Sequence, residues 1–182
     1  MQKSNPPCFL VVGLGNPGLR YRATYHSIGA MCVTSYAKER GLAFGTPRGK
    51  LFCYVKDATS NSVFVLPLTF MNDSGSAVAQ ALAYFKKTPA QLLVVHDDSD
   101  MNVGAYKFSF DQRSAGHKGI QSIIDALGTQ KFRRLKIGVR SMRERSRKKA
   151  ETFVLKRISS RDKTVLEHVF KEAEKGLASE NK

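Results

Sequence analysis

Five short segments of this 182-residue chain hold side chains able to move a proton or cradle an anion. Tyr21-Arg-Ala-Thr-Tyr-His-Ser27 puts His26 near the start of a helical pattern. Histidine titrates near neutral pH, so it can take a proton from water and return it to a leaving group, although a single histidine also fits a structural role. His96-Asp-Asp-Ser-Asp100 follows an apolar run. Its carboxylates could hold a metal ion, form a plain acidic turn, or let Asp97 orient a histidine as the acid of a His/Asp pair does. In Pro67-Leu-Thr-Phe-Met-Asn-Asp-Ser-Gly75, a strand-to-helix connection, Asn72 could simply cap the next helix. Ser114-Ala-Gly-His-Lys-Gly119 combines small residues with two potential cations, which suits close approach to phosphate or ribose, or an ordinary glycine turn. Gly13-Leu-Gly-Asn-Pro-Gly18 matches the G-x-G-x-x-G dinucleotide fingerprint, with Glu39 as a distant acid. Pro17 removes an N–H that a pyrophosphate would need, and residues 19–22 intervene before the helix, so that match is weak.

The elements that must position these groups follow from periodicity. Residues 8–12 predict a buried strand, and 24–39 a helix closed by Gly41. Strands are expected at 51–55 and 62–66, an amphipathic helix at 77–85, and a second buried strand at 92–95 that ends at His96-Asp97-Asp98. Residues 105–110 alternate as a strand does, 119–127 read as a helix and 132–139 as a strand. The last forty residues look helical, with Val165, Val169 and Leu177 on one face. Strands alternating with helices, without a repeat or linker, predict a single α/β domain over 1–182 with a mixed, mostly parallel central sheet flanked by helices. His96–Asp98 would then lie at the carboxyl edge of the sheet, where open α/β sheets bind ligands.

Composition narrows the function classes. Hydrophobic residues at 42% and charged residues at 25% are ordinary for a soluble folded chain, and no apolar run approaches the roughly 20 residues that cross a bilayer. The N-terminus lacks the pattern of a secretory signal, and Cys8, Cys32 and Cys53 form no paired framework or zinc motif. A reducing compartment is expected: the cytoplasm or, alternatively, the mitochondrial matrix. The net charge of +15 points to phosphate polymers, and residues 131–163 carry fourteen basic and three acidic side chains, so +11 of it lies there. The stretch 140–150 has no apolar periodicity and reads as a basic loop rather than a membrane-lying helix.

Taken in order, GLGNPG, Tyr-x-x-Thr-x-His, Thr-Phe-Met-Asn-x-Ser-Gly, His-Asp-Asp-x-Asp, Ser-Ala-Gly-His-x-Gly and Leu-Gly-Thr-x-x-Phe-x-Arg-Leu resemble the bacterial-type peptidyl-tRNA hydrolase family from residue 9 to about 139. The resemblance implies cleavage, with no metal or nucleotide, of the ester joining a peptide to the 3′-terminal ribose of tRNA. It implies His26 as the base that activates water and Asp97 as the carboxylate that orients it. Asn16 and Asn72 would position the histidine, peptide and water. Phe70 and Met71 would line the peptide cleft, and Tyr21 would lie near the terminal nucleotide. Lys136 would contact the terminal 5′ phosphate; by its charge the neighbouring basic loop, with Arg143, Arg145, Arg147 and Lys148, could extend that contact, and Lys107 is a further candidate tRNA contact. Peptidyl-tRNA is the partner so implied, for a chain that acts as a monomer without an obligate protein partner. Three positions depart from the family pattern. Ser27 and Lys118 stand where the family has asparagine, and residues 138–142 replace its Gly-Ile-Gly-Arg-Pro. Lys118 remains a candidate substrate contact, but an ammonium cannot accept a hydrogen bond as an amide does. An RNA-binding protein on the same scaffold, like the splicing cofactors recruited from this family, is the alternative; a nucleotide-dependent oxidoreductase is a third.

Overall fold

Alternation of apolar residues builds the sheet outward from its first strand. The computed structural model describes residues 9–140 and 153–179. In β1 (Leu10–Gly13), Val11 faces one side while Leu10 and Val12 face the other, as the two-residue period of a strand requires. The other strands are β2 (Phe52–Asp57), β3 (Ser62–Pro67), β4 (Leu92–Asn102), β5 (Tyr106–Phe110) and β6 (Arg133–Arg140). They lie in the order β2-β3-β1-β4-β6-β5. The inner four are parallel and the two edge strands antiparallel, the mixed and mostly parallel α/β sheet that the sequence predicts.

Helices α1 (Ile28–Glu39) and α4 (Ser160–Ser179) cover the Val11 face with Ile28, Val33, Tyr36, Leu166, Val169 and Phe170. Helices α2 (Ser74–Tyr84) and α3 (Lys118–Leu127) cover the other with Val78, Ala81, Ile120 and Ile123. β1 has β3 and β4 as its two neighbours, so the connection from β3 through α2 to β4 passes over it. The loops at the carboxyl ends of β1 and β4 therefore part, and a crevice opens between them.

Several elements differ from the periodicity reading. The first helix is broken: Tyr25–Ser27 form a 3-10 turn before α1 begins at Ile28. Gly29 explains the close packing there, because a Cβ at that position would collide with the Val95 carbonyl oxygen. α2 starts three residues early, since Gly75 packs against α3 and its N–H donates to Ser122 Oγ at 2.9 Å. β4 does not stop at its acidic residues but continues to Asn102, because β6 keeps pairing with it through Asp98 and, after an irregularity, at Asn102. On α4 the buried stripe is Leu166, Val169, Phe170 and Ala173, a 3.6-residue period, whereas Val165 is 37% exposed. The side chain of Leu177 lies outside the described residues.

Candidate active site

His26 is fixed from both ends. Its backbone N–H donates to Val154 O at 2.8 Å, and that of Tyr25 donates to Lys156 O at 3.3 Å, so the segment leading into α4 holds the 3-10 turn. The Tyr25 hydroxyl adds a 2.6 Å hydrogen bond to Asp162. The imidazole itself is almost enclosed, with Nδ1 at 3.0 and 3.1 Å from the two oxygens of Asp97. Burial pushes the Asp97 carboxyl up, but the electrostatic attraction and the hydrogen bonds of the His117 and His26 imidazoles outweigh it and hold the group well below the usual carboxylate range. Asp97 is thus an anion that only accepts, so His26 donates through Nδ1–H, and in the neutral ring the lone pair is on Nε2.

A second imidazole reaches the same carboxylate. His117 Nε2 lies 3.0 Å from Asp97 Oδ1, while its Nδ1 accepts the Ile120 N–H at 3.2 Å as the N-cap of α3. That bond fixes the tautomer: Nδ1 accepts, so Nε2 carries the proton and donates. The same three side chains have donor atoms within 4.8 Å of one another and could in principle close on a metal ion. The tautomer argues for a hydrogen-bonded unit instead, because a metal would have to displace the proton that His117 gives to Asp97. His96 is buried beneath, its ring edge-on to His117 with centroids 4.8 Å apart and its Nδ1–H donating to Asp97 O at 2.7 Å. Burial, then the neighbouring His117, push His96 well below its ordinary value, so it is neutral.

The unit lines a cleft of about 640 Å³. Asn16 Oδ1 accepts the Met71 N–H at 2.8 Å, which ties the β1 loop to the loop before α2 and leaves the amide NH₂ as the donor Asn16 can offer. Ser27, at the family's asparagine position, is buried and accepts the Asn16 backbone N–H through Oγ at 3.2 Å. Asn16, Phe70, Met71, Asn72 and Lys118 all border the cleft, as does Leu155. Phe70 is 56% exposed at its rim, whereas Met71 is buried against Gly119, where a Cβ would strike its sulfur. Asn72 is exposed and does not cap α2, which begins after Asp73. Tyr21 stands one ring further out, edge-on to Phe70 at 6.2 Å.

The basic residues divide. Lys136 borders the same cleft, and its Nζ lies 3.3 Å from Asp98 Oδ2. Lys107 is exposed on β5 as the ladder partner of Lys136. Arg143, Arg145, Arg147 and Lys148 lie outside the described residues. The remaining acid of the run, Asp100, accepts from Arg140 at 3.0 Å. The dinucleotide reading fails on geometry, since no helix starts at Gly18; the loop instead runs to the turn that carries His26.

Two contributors escape the sequence reading. His117 is visible in Ser-Ala-Gly-His-Lys-Gly, but there it reads as a cation for phosphate, not as a neutral donor to Asp97. Arg134 carries no local signal at all amid so many basic residues. It is 1% exposed and donates to the Arg113 carbonyl at 2.9 Å and to that of Gln112, holding the loop that presents His117.

Comparison with known proteins gives the family. The family model described as peptidyl-tRNA hydrolase matches residues 10–180. The chain is 45% identical over 132 residues to a peptidyl-tRNA hydrolase of Lactobacillus delbrueckii subsp. bulgaricus, covering 72% of this chain and 71% of that one. It is 36% identical over 167 residues to that of Aquifex aeolicus, covering 90% and 85%. Among solved structures, a peptidyl-tRNA hydrolase in complex with N-propanol superposes with a TM-score of 0.87 at 25% identity, over 97% of this chain and 89% of that one. The enzyme from Acinetobacter baumannii gives 0.85 at 26%, over 94% and 87%.

Proposed function

Because the chain belongs to the peptidyl-tRNA hydrolase family and hydrolyses peptidyl-tRNA, we propose that His26 is its base and Asp97 the group that aims it. The observation that carries this reading is the 3.0 Å contact between His26 Nδ1 and a buried, ionised Asp97, which leaves Nε2 as the lone pair facing the cleft residues. Nε2 takes a proton from water as the oxygen attacks the ester carbonyl. The tetrahedral oxyanion is met by N–H donors, for which the NH₂ groups of Asn16 and Asn72 and the Lys118 ammonium border the cleft. Collapse expels the ribose 3′-oxygen, and His26 returns the proton to it. Asp97 stabilises the imidazolium in between and fixes its tautomer. An aminoacyl ester is already activated, so one oriented base and a few donors suffice, without metal or nucleotide.

Phe70 and Met71 receive the peptide in this reading, and Tyr21 the terminal nucleotide. Lys136 and Lys107 meet the 5′ phosphate, and the basic loop 140–150 extends the contact along the acceptor stem. The protein acts as a monomer in the cytoplasm, with the mitochondrial matrix as the alternative; Cys32 and Cys53 are free thiols, as a reducing compartment allows. A pure RNA-binding role is disfavoured because binding has no chemical need for the His26–Asp97–His117 unit. Release of N-acetylaminoacyl groups from tRNA in the presence of a chelator is the test. His26→Ala should lower it at least about a hundredfold; equal activity in the variant refutes the assignment.

A further inference from the structure

Tyr25 and His26 are neighbours in one turn, yet their side chains part. The phenol ring packs in the core, edge-on to Phe153 at 6.0 Å, while the imidazole borders the cleft. Whatever holds the ring therefore sets the angle at which the imidazole leaves the turn. The hold comes from the start of α4. Ser159 precedes that helix, and its Oγ accepts the Asp162 N–H at 3.1 Å, one limb of a capping box. The reciprocal limb of such a box runs from the carboxylate back to the serine N–H. Asp162 is one methylene shorter than the usual glutamate, and the Tyr25 hydroxyl spans the gap. It accepts the Ser159 N–H at a long 3.5 Å and donates to Asp162 Oδ2 at 2.6 Å. Burial, then the bond to Asp162, push the phenol up, so it stays protonated and donates. The Ile158 N–H also donates to Ala23 O at 2.9 Å, and Thr24 bridges Arg157. The cap of α4 and the turn that carries His26 are thus one structure, built from segments far apart in the chain.

We infer that Tyr25 and Asp162 are positioning residues for the hydrolysis: the cap of the carboxyl-terminal helix fixes the reach of His26 to Asp97. The inference rests on the reading of His26 as the base. His26 Nδ1 lies 3.0 and 3.1 Å from the two oxygens of Asp97, a contact with little slack. Misplacing a reacting group by about 1 Å can cost on the order of a hundredfold in rate, even when the altered residue lies far from the chemistry. Apolar packing alone does not prevent such a slip, because burial of a ring is non-directional. The bond from the phenol to Asp162 is directional and ends on a carboxylate, so it fixes the ring along its own plane. Without it the imidazole would hold Asp97 less well, and the imidazolium would be less stabilised. Rate and basicity should then fall together. Substrate affinity should not, since neither Tyr25 nor Asp162 borders the cleft.

The test is steady-state hydrolysis of N-acetylaminoacyl-tRNA across pH by the full-length protein. Tyr25→Phe keeps the ring and removes only the hydroxyl. Its kcat should fall roughly three- to tenfold with KM within about twofold. The acid limb of kcat/KM, which reports the base in the free enzyme, should move to lower pH. Asp97 and His117, the titratable groups that share the unit with His26, are unchanged in this variant. Asp162→Ala should act in the same direction, and the double variant should lose no more than the worse single one, because both break one bond. Val169→Ala, two turns further along α4, serves as the control for stability. It should lower the melting temperature at least as far while kcat and the acid limb stay in place. The inference is overturned if Tyr25→Phe keeps kcat or keeps the acid limb, or if the two losses multiply. It is equally overturned if Val169→Ala reproduces them, which would leave the cap a support for the helix alone. If His26→Ala retains activity, the base reading itself falls and takes the inference with it.

Discussion

Asp97 is 3% exposed and both of its oxygens face imidazole nitrogens; Asp98, the next residue, is 16% exposed and faces a lysine. The partners of Asp97 are flat rings with two side-chain torsions each, and each ring is pinned: His26 through its backbone N–H, His117 through its capping bond to Ile120. Little entropy remains to be lost when such donors hold a charge, and at 3% exposure the carboxylate is nearly closed to solvent. Lys136 sits on a four-carbon stem with rotatable donors and partial access to water, so its pairing with Asp98 can be exchanged. The contrast teaches that burial and rigidity of the partner, not the carboxylate, separate a fixed contact from a displaceable one.

Breaking the rigid side should cost most. Asp97→Asn cannot stabilise the imidazolium and permits the wrong tautomer, so turnover should fall by about a hundredfold to ten-thousandfold while tRNA affinity stays within about twofold. Rates under single-turnover conditions, alongside a binding titration, separate these outcomes, and a loss confined to affinity would contradict the comparison. His117→Ala removes one of the donors to Asp97 but leaves His26 in place; turnover should drop roughly tenfold, one hydrogen bond to a charged group. If it matches Asp97→Asn instead, His117 has a direct part in the chemistry.

The same burial should register in stability. Asp97 is held below its unfolded pKa of about 3.9, so its contribution is complete above that value and fades as pH falls toward the folded one. The melting-temperature gap between wild type and Asp97→Asn should be widest above about pH 5 and narrow below about pH 4; a gap that is flat down to pH 3 would deny the shift. The smallest effect on catalysis belongs to the exchangeable side. Replacing Arg145, Arg147 and Lys148 by alanine should weaken tRNA binding and flatten its salt dependence by roughly one unit per residue, with turnover at saturation almost unchanged. Parallel salt titrations of equal affinity would leave that loop a solvated charge run.

Much of this was legible in the chain, and the gaps have physical causes. Elements defined by short-range patterning were readable: the apolar run of β1, the alternation in β5, the helical spacing of α3. Boundaries set by distant partners were not. β4 continues through its acidic residues because β6 pairs with them, and α4 buries Leu166 and Phe170, not Val165, because of where α1 lies beneath it. In the site, the resemblance singled out His26 and Asp97, which are in contact, and Asn16, which is bonded to Met71 instead of standing alone.

By itself the sequence determined which groups were available, the order of the elements that carry them, and the family whose motif series they share. Side-chain type and local periodicity suffice for that, because they act over a few residues. Only the tertiary structure decided that His117 turns to Asp97 rather than to phosphate, that Arg134 is buried to hold its loop, and that Asp98 takes Lys136. Those choices depend on α3 starting over the end of β4 and on β6 lying beside it, contacts between residues 20 to 40 positions apart in the chain. Proton placement and charge pairing at such distances follow from packing, which no local pattern encodes.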